Sequence, residues 1–239
     1  MNIKINGIDI NTYNINALNN SLSVESDNLS KLINEQIVLT AIKTTESICG
    51  KSTESIGEKL ENTMITIRNK LIEWFRKLIE FFKNLSTKII LSNRKYKHLS
   101  DMYKRVLDKL HNFSIKNIET LSKKEISSEE IEACKDNQKI CNECRKILMI
   151  MLKGTAWNSW MRKLSDEDYK AYIDKVGTFV GEFLKFTEQF ADNGIQNENS
   201  DITNALTVLN NVKDKFEKWV EFYKDKADKN ANQPSSSQQ

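Results

Sequence analysis

Apolar residues recur through the middle of the chain at the spacing of one helix face. From Ser55 to Leu91 they fall at Ile56, Leu60, Met64, Ile67, Leu71, Phe75, Leu78, Phe82, Leu85 and Ile89, in steps of 4, 4, 3, 4, 4, 3, 4, 3 and 4. Ile65, Ile72, Trp74, Ile79 and Phe81 widen the stripe, Lys, Arg and Glu fill the opposite face, and no proline interrupts it. The pattern predicts one unbroken helix of roughly 55 Å. Ser52 or Ser55 can cap its start, and Ser55 with Glu58 fits a Ser-x-x-Glu capping box. A second seam, Tyr96, Leu99, Tyr103, Val106, Leu110 and Phe113, has heptad-like steps and predicts a helix that either folds back on the first as an antiparallel partner or continues it, the short polar link before it favouring the hairpin.

The same reading runs along the rest of the chain. Ile3, Ile5, Ile8 and Ile10 flank Asn6-Gly7, the signature of a small hairpin or an extended arm. Asn11 to Ser23 reads as a polar connection. A helix is expected from about Asp27 to Ile48, with Leu29, Leu32, Ile33, Ile37, Ala41 and Ile48 inward. Ser127 with Glu130 and Ser165 with Asp168 cap two later helices, Gly154 and Asn193-Gly194 end them, and Trp157, Trp160, Met161 and Leu164 form a short aromatic link. A last helix is expected from about Asp201 to Lys226. The expected organisation is a hairpin or arm over 1–23, a long-helix region over 24–113, a helical bundle over 127–226 and a disordered tail over 227–239. The fold class is all-α, with long amphipathic helices in an elongated bundle and the small N-terminal hairpin or arm.

Composition agrees with helices, since 239 residues hold only seven Gly and one Pro. Net charge is +3 but uneven. Residues 59–109 carry thirteen Lys or Arg against five Asp or Glu, while residues 121–239 carry eighteen against twenty. That basic middle could make non-specific contact with nucleic-acid phosphate or an anionic membrane; the plainer reading is a solvated helix face. A second basic cluster, Arg94, Lys95, Lys97, Lys104 and Arg105, lies within it, and no helix-turn-helix, zinc finger or stacking aromatic accompanies the cluster. The N-terminus lacks the apolar core of a secretory signal, and no uncharged run approaches the roughly 20 residues of a membrane-spanning helix. A reducing cytoplasm is therefore the expected setting.

Chemistry-bearing patterns are few. Cys141-x-x-Cys144, with Cys134 seven residues earlier, is the sharpest, yet all three fall along one predicted helix and the two histidines, His98 and His111, lie in another segment. Buried reduced thiols without metal are expected. Gly177-x-x-x-Gly181 loses its membrane meaning because Asp174, Lys175, Glu182 and Lys185 surround it, and it reads as close helix contact or as tolerated glycine. No phosphate loop, nucleophile elbow or His-rich metal motif appears, so catalytic residues, cofactor and metal are expected to be absent and the chain is read as a non-enzyme. The residues expected to carry function are those of helical contact, Leu71, Trp74, Phe75, Leu78 and Phe82, together with Arg94, Lys95 and Lys97.

The stretch Leu39 to Ile48, then Glu54-Ser55-Ile56-Gly57, then the basic Trp/Phe helix from Lys70 to Phe82, resembles the N-terminal regions of internal head and other virion structural proteins of tailed bacteriophages. The resemblance covers residues 39–90, about a quarter of the chain, and gives no site residues. It implies a non-enzymatic virion component, internal to the head or capsid-associated. Such a component acts by helix–helix interaction with other virion proteins or copies of itself, as a homo-oligomer, in the host cytoplasm during assembly and then in the virion. The alternative is a helical protein that binds a membrane surface through the basic amphipathic helix 70–91.

Overall fold

A computed structural model describes residues 3–5, 8–10, 12–48, 54–88, 97–155, 158–193 and 199–231. Six long helices make up nearly all of it, so the protein is all-α: α1 (Thr12–Ile48), α2 (Glu54–Lys88), α3 (Lys97–Leu121), α4 (Ser128–Thr155), α5 (Asp166–Asn193) and α6 (Asn199–Ala231), with a short 3₁₀ helix (Ser159–Lys163) before α5. Ahead of α1, Ile3–Ile5 (β1) and Ile8–Ile10 (β2) run antiparallel, with Ile3 opposite Ile10. The Asn6-Gly7 turn, the side chains of this stretch, Trp157 and residues 232–239 lie outside the described residues.

The apolar row of α2 closes the centre. Ile67, Leu71, Trp74, Phe75, Leu78, Phe81, Phe82 and Leu85 are all buried. Burying each such side chain contributes about 1.5–3 kcal/mol. Its opposite face keeps Glu73, Arg76, Glu80 and Lys83 in solvent. Arg68 on α2 donates to the carbonyls of Leu121 and Lys123 at 2.6 and 2.7 Å, whereas Phe82 lines a groove with Leu107 and His111. The two ends of α2 therefore meet opposite ends of α3, and the pair is antiparallel.

α3 then lies along α5 in the same direction. Arg105 pairs with Glu188 at 2.6 Å and Lys109 with Asp192 at 3.1 Å, and the rings of Phe113 and Phe190 stand 4.5 Å apart. Met102 of α3 lies over both Gly177 and Gly181, 3.9 Å from where a Cβ on either would stand. Tyr172 donates its hydroxyl to the Gly154 carbonyl at 2.5 Å, tying α5 to the end of α4. Gly154 does not end its helix, which runs on to Thr155. Its bare backbone instead admits Phe216 of α6, which would stand 2.6 Å from a Cβ placed there.

One hydrophobic cluster runs from Ile15 to Tyr223, so helices on both sides of the Ser122–Ser127 link share a core. Both later capping expectations are met. The Ser127 amide donates to Glu130 Oε2 at 3.0 Å while the Glu130 amide donates to Ser127 Oγ at 3.2 Å, and the Asp168 amide donates to Ser165 Oγ at 3.1 Å. Ser55 lies inside α2, which begins one residue earlier.

Two expectations for the first helix are corrected. Residues 12–23 are helical rather than a polar connection, because Ile15, Leu22 and Leu29, spaced at seven residues, are buried on the body. That packing overrides the local preference of Asn and Ser for turns. Ile37 and Ile48 are not inward: they are 60% and 81% exposed. The helix extends past the body that would have covered them.

Candidate interaction surface

The five apolar residues expected to make helical contacts make them inside this chain. Leu71, Trp74, Phe75, Leu78 and Phe82 are buried, and the Trp74 indole N–H donates to the Leu22 carbonyl of α1 at 3.1 Å. The face that would enter a membrane surface is thus the face that builds the core. Arg94 and Lys95 lie outside the described residues; Lys97, the first residue of α3, is exposed. Part of the basic surplus is used internally, by Arg68 on backbone carbonyls, by Lys77 on Glu25 and by Arg105 and Lys109 on α5. Cys134, Cys141 and Cys144 are buried free thiols, and burial pushes all three up, Cys134 to about 12 and Cys141 and Cys144 well above their ordinary 9.0. Among the described residues no group of three or more His, Cys, Asp or Glu stands together to hold a metal ion, and no helix is long and apolar enough to cross a membrane.

The first half of α1 is fastened to α4 by a polar seam. Lys135, Gln138, Asn142 and Arg145 follow one another on α4 at steps of three, four and three, and all four are buried. Arg145 reaches across to α1. Its Nη1 donates to the Asn19 carbonyl at 2.9 Å and also to the Asn19 side-chain oxygen, its Nη2 donates to Ser23 Oγ at 2.9 Å, and Nε and Nη2 share Asn142 Oδ1 at 3.2 and 2.8 Å. Gln138 and Asn142 both donate to Ser26 Oγ at 3.1 Å, and Lys135 donates to Gln36 Oε1 at 3.3 Å. Burial holds the Arg145 guanidinium down at about 10, below its ordinary 12.5. Buried polar groups at such positions fix register, because any slip leaves donors and acceptors unpaired.

Past Gln36 the support ends. No described residue from Ser30 to Thr66 is buried, on either α1 or α2. This far half of the α1–α2 hairpin is an arm, and Ile37, Val38, Ile42, Ile48 and Ile65 stand exposed on it. Lys43 crosses from α1 to α2, its Nζ 3.6 Å from where a Cβ on Gly57 would stand, so α1 turns its Lys43 side to α2. Helical geometry then puts Val38, Ala41, Thr45 and Ile48 on the side away from α2. At the arm's base a groove of about 770 Å³ is lined by Met64, Ile65 and Arg68 of α2 and by Ile126 and Ile131. Sequence reading singled out Leu71, Trp74, Phe75, Leu78 and Phe82 with Arg94, Lys95 and Lys97, and did not single out the exposed face of the arm. Its signal was present in α1, where the charge-free positions 37, 38, 41, 45 and 48 share one face.

Comparison with protein-family models, curated proteins and solved structures finds no significant match to the chain.

Proposed function

We propose that this protein is a non-enzymatic assembly protein that joins its partners by helix–helix contact through the far half of the α1–α2 hairpin. The observation that carries the reading is the uncovered aliphatic face of α1: Ile37, Val38, Ile42 and Ile48 are 41–81% exposed, on a helix whose first half is fixed to a packed body. Contiguous apolar surface on an ordered helix marks a contact site. The setting we infer is the virion of a tailed bacteriophage, as an internal head or capsid-associated component made in the host cytoplasm. The resemblance of residues 39–90 supports that setting. An elongated form of the bundle, with the N-terminal residues as a small hairpin, belongs to the same reading.

Amine-reactive cross-linking in the native setting tests it. Lys43 and Lys59 stand exposed on the arm. Cross-links to other polypeptide chains should concentrate on these two lysines. Cross-links confined to exposed lysines of α5 and α6, such as Lys170 and Lys218, would contradict it.

A further inference from the structure

The first half of α1 is helical in spite of its sequence. Residues 12–24 hold no charged side chain, and Asn and Ser recur through the stretch to Ser30. Packing imposes nothing at its solvent positions. Yet apart from Ala17 these hold Asn16, Asn20, Val24, Asp27, Asn28 and Ser30, all poor helix formers. The solvent positions of α2 from Lys70 to Lys83 hold only Lys, Glu and Arg. Ser23 and Ser30 also turn their hydroxyls back on the carbonyls of Asn19 and Ser26, at 3.1 and 3.0 Å, a bond that weakens a helix. The segment is therefore a helix only while the body holds it.

That hold is partly polar. Arg145 and the Trp74 indole donate to backbone carbonyls of α1, at Asn19 and Leu22, and Gln138 and Asn142 donate to Ser26 Oγ. Such groups fix register, but water satisfies them when the helices part, so they resist separation less than buried apolar surface does. From Ile15 to Leu29 the buried apolar residues are Ile15, Leu22 and Leu29, with Leu18 half-buried, whereas α2 over the same length, Leu71 to Leu85, buries seven.

We propose that residues 12–30 form a releasable strap over a groove between α2 and α4, which opens while the rest of the fold stays closed. Lifting it bares Trp74 and the donors of Gln138, Asn142 and Arg145. The groove then fits a helix that offers carbonyls and small polar side chains at the spacing of Asn19, Ser23 and Ser26. α1 is the groove's resident ligand, and the strap controls access to it. Cooperative units of low stability are where proteins place such moving elements.

Hydrogen exchange of the full-length protein in low urea reads the opening. Amides of residues 15–30 should exchange through one shared opening, at least about a hundredfold more populated than the one that exposes residues 140–152 of α4. Equal opening of the two would make α1 one unit with the body and overturn the proposal. Leu22→Asp places a charge at a fully buried position of the strap. It should release the strap while the other helices keep a cooperative thermal transition. A fluorescent peptide of residues 12–30 should bind this variant at least about tenfold more tightly than the wild-type chain, in which the tethered strap competes. Loss of the whole fold in Leu22→Asp, or peptide binding no tighter than to wild type, would overturn it.

Discussion

Arg145 on α4 donates to the backbone carbonyl of Asn19 on α1 at 2.9 Å, across 126 positions of sequence. Its other partners are the side-chain amides of Asn19 and Asn142 and the hydroxyl of Ser23, with no carboxylate hydrogen-bonded to it among the described residues. A guanidinium buried on neutral dipoles alone is not a strong source of stability, but its acceptors depend on it.

Arg145→Ala should therefore destabilise the protein by about 2–5 kcal/mol, by stranding buried acceptors at Asn19, Ser23 and Asn142. Lys146→Ala, the exposed neighbour, should change stability by no more than about 0.5 kcal/mol. Urea unfolding of both variants checks the contrast. Equal midpoints would mean that the seam is not a fastening.

Phe75→Ala should cost roughly 3–5 kcal/mol, since the ring is fully buried, and Arg76→Ala no more than about 0.5 kcal/mol. Because the core is intramolecular, the loss should be the same in dilute and concentrated protein. A loss that grew with dilution would move the apolar row of α2 from the core to an interface.

Alkaline pH should unfold the protein. Burial raises the thiols of Cys134, Cys141 and Cys144 above their ordinary 9.0, Cys134 to about 12. The folded state keeps those protons while the unfolded state loses them, so the stability they contribute is full below pH 9.0 and falls as pH rises above it. The slope is about 1.4 kcal/mol per pH unit for each thiol. Arg145, lowered from 12.5 to about 10, acts in the opposite direction above about 10, but it stands against the three thiols and against the buried hydroxyls of Tyr103 and Tyr172, which burial also raises above their ordinary 10.0. Urea midpoints under reducing conditions should be level from about pH 7 to about pH 8.5 and drop steeply by about pH 10.5. A flat profile across that range would place the thiols in water.

What could be read from the sequence was what local chemistry or strong periodicity decides. The row Leu71, Phe75, Leu78 and Phe82 is apolar against a charged opposite face, and it is buried. Ser127 with Glu130 is a contact within one helical turn and needs no tertiary information. The start of α1 was hidden because Ile15 and Leu22 lie in an Asn- and Ser-rich stretch, and only the body they meet joins them to Leu29 as a seam. Lys135, Gln138, Asn142 and Arg145 resemble a solvated helix face until Asn19, Ser23 and Ser26 are placed against them. Ile37 and Ile48 carry the same periodic signal as buried residues, and nothing local reveals that the body ends before them.

Hydrogen exchange compared between dilute protein and its assembled form tests the central claim most directly. Residues 71–85 of α2 should be strongly protected in both, because their burial is intrachain. Residues 34–48 of α1 should exchange rapidly when dilute and gain protection of at least about tenfold on assembly. Protection gained only on α5 and α6, or an arm that exchanges alike in both states, would contradict the account.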